Sequence, residues 1–229
     1  MAEAPDWLSL LGIHTERFGD VVRHADLDAR VPSCPGWSLR DLVVHLGGVH
    51  QWAAHAVLQG NPDLRPEPPA ETGRQGLTTW YRQHASHLVE VLTSAAADAP
   101  AWTLDDRDPT AAFWRRRQVH ETVMHVWDAD NALRQPRSID PLLAWDGVLE
   151  VRDVIYPRQV RLGRVQPLSR SVYMVATDVG GDAVFGDGES IVLHGEAEVL
   201  LRLLWHRADL DAHVPDPQTR TLLSGAITP

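Results

Sequence analysis

Two proline-bearing stretches limit what this chain can fold into. Residues 60–69 hold four prolines, Pro62, Pro66, Pro68 and Pro69, and residues 105–109 combine Asp105, Asp106 and Asp108 with Pro109. Proline has no backbone N–H and its ring clashes with the preceding turn, so no helix passes through the first stretch, and the second reads as a connection. The segments around them are long and carry apolar residues at helical spacing. Residues 7–24 place Leu8, Leu11, Phe18, Val21 and Val22 on one face. The sequence Val31-Pro32-Ser33-Cys34-Pro35-Gly36-Trp37 reads as a turn, after which Ser38 and Asp41 form an S-x-x-D capping signal. That signal opens a second helix reaching about residue 58. A third is predicted over 72–96 and a fourth over 110–133.

Four such helices with short or proline-punctuated connections predict a bundle, a fold that builds metal sites from facing helices. The pattern changes after Pro136. A fifth helix over 141–159 is followed by a strand-like run, 171–177, a glycine-rich turn, a second strand-like run, 190–194, and a helix over 196–207. Mixed elements of this kind mark a small α+β domain. The expected organisation is a helical bundle over 1–138 and an α+β domain over 139–229. No internal repeat or low-complexity tract is present.

Composition narrows the function. A net charge of −10 over 229 residues argues against nucleic-acid binding, which needs a basic face to neutralise phosphates. No segment approaches the roughly 18 apolar residues of a membrane span, and the first residues lack a basic leader, so a cytoplasmic small-molecule protein is expected. One cysteine, Cys34, excludes an internal disulfide and a Cys-based zinc knuckle, fits a reducing compartment, and is expected to be a packed residue rather than a catalytic thiol. All 21 basic residues are arginine, which excludes lysine Schiff-base chemistry.

The candidate chemistry lies on helices two and four. Arg117, Glu121, His125 and Asp128 fall in a stripe about 80° wide at about 100° per residue, with Phe113, Val119, Val123, Met124, Val126 and Trp127 opposite. Glu121 and His125, at i and i+4, can share one ion. A solvated face carrying an Arg117–Glu121 ion pair explains the same pattern, and E-x-x-x-H arises readily by chance in a chain with 12 histidines. Helix two offers His45, at the edge of the apolar face of Leu42, Val43, Leu46, Val49 and Ala53, and His50, nearer its middle. Periodicity does not choose between them as a third ligand, and either can instead be a hydrogen-bonded core histidine. His14, His24, His55, His84 and His87 read as surface or packing residues. Three N/O ligands would leave a divalent metal with an open position, the arrangement of a metal-dependent enzyme.

The segment from Val31 through Cys34-Pro35-Gly36-Trp37 to His45, together with Arg117-x3-Glu121-x3-His125-x-Trp127-Asp128, resembles the mycothiol-dependent maleylpyruvate isomerase family of the DinB-like superfamily. The resemblance implies His45, Glu121 and His125 as ligands of a divalent metal, usually Zn2+, and moves His50 to a supporting or packing role. It also implies a C-terminal sterol-carrier-like domain, matched mainly over residues 196–207. There Arg207 corresponds to an arginine that binds a substrate carboxylate over the metal cleft, although the family commonly has glycine where this chain has His206. Arg117 is the second candidate cation. Asp128 is read either as orienting a ligand or the bound thiol, or as a surface carboxylate.

A metal deprotonates a bound thiol, whose free pKa is about 8.5. The resemblance implies mycothiol as that thiol, adding reversibly to the cis double bond of an enone diacid such as maleylpyruvate and leaving it trans. The alternatives are an S-transferase that releases the thiol adduct of a small electrophile, a hydrolase using metal-activated water with His50 or Asp128 as base, and a binding protein for a small apolar ligand with a structural metal. The expected partners are a small substrate and a low-molecular-weight thiol, in a monomer or homodimer.

Overall fold

The computed structural model describes residues 5–225, 227 and 228, and the chain divides into two compact units between Arg137 and Ser138. The first unit is a four-helix bundle: α1 (Trp7–His24), α2 (Leu39–Gln59), α3 (Arg74–Ser94) and α4 (Ala111–Ala132). Side chains at the helix starts explain the boundaries of the first two. Asp6 accepts from the Ser9 amide, and Ser38 with Asp41 forms a reciprocal capping box that satisfies free amides at the start of α2. α2 stops at Gly60, which adopts φ 67°, a left-handed conformation that costs glycine little. The proline stretch follows at once and prevents the helix from resuming.

The bundle closes on an apolar core that includes Phe18, Leu42, Leu46, Leu77, Tyr81, Val126 and Ala129. α2 packs on α3 and α4, and α1 packs on the same two helices. α4 is enclosed to an unusual degree: besides its apolar residues, Arg117, Gln118, His120, Thr122, His125, Asp128 and Asp130 are all buried. The solvated-face alternative for its polar stripe therefore fails. Buried polar groups need partners, and those of α4 are supplied largely from within the bundle.

The second unit begins with α5 (Pro141–Glu150), a π-helical turn (Val151–Ile155) and α6 (Tyr156–Arg161). The single helix expected over 141–159 is thus one continuous path with a widened turn. Pro157 explains the widening, because its ring cannot sit beneath the carbonyl of a normal preceding turn, and the Tyr156 amide bonds back to Val151 instead. A three-stranded sheet follows, with β1 (Ser171–Ala176) central, β2 (Asp182–Phe185) antiparallel to it and β3 (Ser190–Gly195) parallel to it.

Strand β2 lies where the sequence reading places only a glycine-rich turn. Its four residues alternate cleanly, Ala183 and Phe185 inward and Asp182 and Val184 outward. The run is too short and too closely flanked by glycines to announce itself without its partner strand. The unit ends with α7 (Ala197–Leu204), α8 (Leu210–His213) and α9 (Pro217–Leu223). α7 stops three residues short of Arg207. The His206 amide bonds to Leu203 O at 3.1 Å and the Arg207 amide to Arg202 O at 2.7 Å, while His206 takes φ 55°. This is the Schellman ending in which the left-handed position usually holds glycine. Among the described residues, no helix is long and apolar enough to cross a membrane.

One close approach fixes the α2–α3 spacing. A methyl group on Gly47 would stand 2.3 Å from the nearest ring atom of Trp80 on α3. Alanine favours a helix over glycine by about 1 kcal/mol, but forcing extra volume into a packed contact costs about 1–3 kcal/mol. Gly47→Ala is expected to lower unfolding free energy by up to about 2 kcal/mol in urea titrations, against its helix propensity. An unchanged or raised midpoint would show that Trp80 moves aside freely.

Candidate metal centre

Within the bundle, α2 and α4 bring His45, Glu121 and His125 together, each offering a ligand atom within 4.8 Å of the others. Glu121 Oε1 stands 3.3 Å from His125 Nε2 and 3.5 Å from His45 Nε2. The His45 and His125 rings meet edge to face with centroids 5.0 Å apart. Tetrahedral ligands about 2.0–2.1 Å from a zinc ion stand roughly 3.3–3.4 Å from one another. The two separations lie close to that edge, and the two-nitrogen, one-carboxylate donor set suits a divalent ion, so the residues fit the group. Among the described residues no other cluster of His, Cys, Asp and Glu does so.

The surrounding charges are arranged for a cation. Burial alone would push the Glu121 carboxyl up, but the Arg117 guanidinium and contacts from His125 and His45 outweigh it and hold it well below the ordinary carboxylate range. Arg117, itself buried, pairs with Glu121 Oε2, which leaves Oε1 facing the histidines. Burial likewise lowers His125, yet hydrogen bonds to Asp128 and Glu121 more than compensate and raise it to about 9. Acceptors that retain a proton on His125 are also acceptors that favour a metal ion in its place.

Asp128 is buried rather than at the surface, and its Oδ2 lies 2.9 Å from His125 Nδ1. A carboxylate accepts only, so Nδ1 carries a proton and donates to Asp128, and it is Nε2 that would face a metal once the second proton is displaced. Ser33 and Cys34, from the turn before α2, also reach Asp128, at 2.5 Å from Oδ1 and 3.8 Å from Oδ2. The sequence reading treats Cys34 as a packed residue and passes over Ser33. Only their pairing across 95 and 94 residues exposes the connection.

His50 does not join the cluster. It is fully buried, with Nε2 3.3 Å from Thr122 Oγ1 and its ring 5.6 Å from that of Tyr81, and Nδ1 has no hydrogen-bond partner among the described residues. Beside His45 an open cavity of about 410 Å³ is lined by Val44, Gly48, Val49, Trp52 and Pro66. Arg207 belongs to the second unit, where its Nη1 donates to Trp205 O at 2.6 Å and its guanidinium lies 5.7 Å from the Trp205 ring centre.

A bundle core holding two histidines and a carboxylate, each braced by a charged partner or neighbour, defines a candidate divalent-metal protein of the helical-bundle class. Residues 10–130 match the mycothiol maleylpyruvate isomerase N-terminal domain, and the chain belongs to that family. The fold is also that of two solved structures. A histidine-to-alanine mutant of the mycothiol-dependent maleylpyruvate isomerase is 12% identical, with TM-score 0.65 over 87% of this chain and 88% of that one. The mycothiol-dependent maleylpyruvate isomerase itself is 13% identical, with TM-score 0.61 over 90% of each chain. No curated protein sequence matches significantly.

His50 yields a pH prediction. Burial pushes its pKa down to about 3, so it stays neutral in the fold while the unfolded chain takes up a proton below about 6.5. Its contribution to stability is therefore complete above about 6.5 and is lost as pH falls toward the folded value, at up to about 1.4 kcal/mol per unit. Urea unfolding in chelator should show the native chain losing up to about 2 kcal/mol more between pH 7 and 5 than His50→Gln. Parallel pH dependence of the two proteins would rule this out.

Proposed function

We propose that this protein is a metal-dependent enzyme that uses mycothiol to isomerise an activated cis double bond, in the manner of maleylpyruvate isomerase. The observation that carries the reading is the convergence of His45, Glu121 and His125 inside the family's N-terminal domain. These three residues would hold the divalent metal, most suitably Zn2+, with residues 1–138 as the metal-binding domain and 139–229 as the second domain. When bound, the metal supplies the Lewis acidity that keeps a thiol deprotonated at neutral pH.

The chain's own residues then have defined tasks. Asp128 holds the His125 tautomer, and Arg117 holds Glu121 ionised and turned toward the histidines. The thiolate sulfur forms a C–S bond to one alkene carbon, and the π electrons move into the conjugated carbonyl as an enolate. Rotation about the carbon–carbon bond that was the alkene, now single, precedes loss of the same thiolate, which restores the alkene as trans with no redox change. Arg207 is the residue proposed for the substrate carboxylate, a role its guanidinium fork suits, with Arg117, paired with Glu121, second.

An S-transferase reading gains support from the cavity beside His45. Apart from that histidine its lining is apolar, which suits an electrophile with an apolar body better than a small diacid. The two readings differ only in whether the adduct collapses or leaves.

His45→Ala and His125→Ala are each expected to abolish stoichiometric zinc in the purified protein, measured by elemental analysis, with the circular dichroism of the bundle retained. Full occupancy in both variants would remove the ligand assignment. Incubation with maleylpyruvate should give, only when mycothiol is present, a trans product of unchanged mass by mass spectrometry. A stable product heavier by one mycothiol would replace the isomerase with the transferase, and turnover without thiol would discard both.

A further inference from the structure

Resting on that metal reading, we propose that Ser33 is a positioning residue for the site, acting through Asp128 on His125. The Ser33 hydroxyl donates to Asp128 Oδ1 at 2.5 Å, and Asp128 Oδ2 accepts from His125 Nδ1 at 2.9 Å. Asp128 is fully buried, so its carboxylate orientation is set by protein donors rather than by water. The terminal torsion of an aspartate is broad. A donor on the oxygen opposite His125 removes that freedom, and the carboxylate plane in turn fixes the direction of the His125 ring and of Nε2.

The turn carrying Ser33 is built to hold it still. The Val31 amide bonds to Trp37 O at 3.0 Å, the Cys34 amide to Val31 O at 3.1 Å and the Trp37 amide to Cys34 O at 3.0 Å. Gly36 takes φ 89°, and the Arg30 guanidinium ties down its carbonyl at 3.2 Å. The Cys34 thiol adds a weak contact to Asp128 Oδ2 at 3.8 Å. At the other end of the same turn, the Trp37 ring packs against the His45 ring with centroids 4.9 Å apart. One rigid turn therefore braces both histidines, His45 by direct packing and His125 through Ser33 and Asp128.

The test compares Ser33→Val with Ser33→Thr, a matched pair of similar shape that differs in the hydroxyl. Zinc affinity of the full chain is measured by competition with a chromogenic chelator, the Co2+ absorption spectrum reports ligand geometry, and melting of the metal-free protein reports the fold. Ser33→Val is expected to weaken zinc binding by about tenfold or more and to change the Co2+ bands. Ser33→Thr should restore both, with each metal-free variant still melting cooperatively and Ser33→Val alone lowered, by the lost bond to Asp128. Wild-type zinc affinity in Ser33→Val, or equal losses in both variants, overturns the proposal. If Ser33→Val does not fold, Ser33→Ala takes its place in the same comparison. His125→Ala separates the role of Ser33 from that of the metal site itself. Loss of zinc there with retention in Ser33→Val overturns the role of Ser33 alone, whereas retention in His125→Ala overturns the metal reading itself.

Discussion

A carboxylate held ionised inside a helical bundle is the constraint on which the rest of the first unit depends. Leaving the partly buried Glu121 carboxylate unpaired would be costly, so its neighbours must be cations or donors. Arg117 pairs with one oxygen, and His45 and His125 face the other. The i, i+4 spacing of Arg117, Glu121 and His125 on α4 supplies two of these partners from one helix face, and α2 must approach closely enough to supply the third. Gly47 on α2, two residues from His45, is where that helix meets Trp80 with no room for a side-chain carbon.

The polar face of α4 is correspondingly unlike an amphipathic helix surface. It is a second interior, charged and hydrogen-bonded, lying alongside the apolar one. Ser33 and Cys34 from the turn before α2 meet Asp128, and Arg17 from α1 pairs with Asp130. Such networks specify one arrangement of helices more sharply than apolar packing does, because a slipped helix would strand charges without partners. A site that must hold ligand atoms to a few tenths of an ångström benefits from that specificity.

Family membership and fold place the chain among proteins built around this bundle, but chemistry resides in the site and its approaches. Beside the candidate ligands, the approach next to His45 is apolar and Arg117 is paired with Glu121.

Much of this is readable along the chain. The proline stretches, the Ser38–Asp41 box and the apolar spacing locate the four helices to within about two residues, because capping and periodicity are local physics. The glutamate and histidine of α4 are legible as a pair for the same reason. What spacing leaves open is long-range. It does not choose His45 over His50, which the motif resemblance favours and the tertiary structure separates by placing one beside Glu121 and the other against Thr122. Nor does it reveal β2, whose four residues are a strand only beside β1, or the end of α7 at a left-handed His206. The tie from Ser33 to Asp128 belongs with these. A hydroxyl and a carboxylate 95 positions apart carry no joint signal in sequence, and only packing of the turn against α4 makes them a pair.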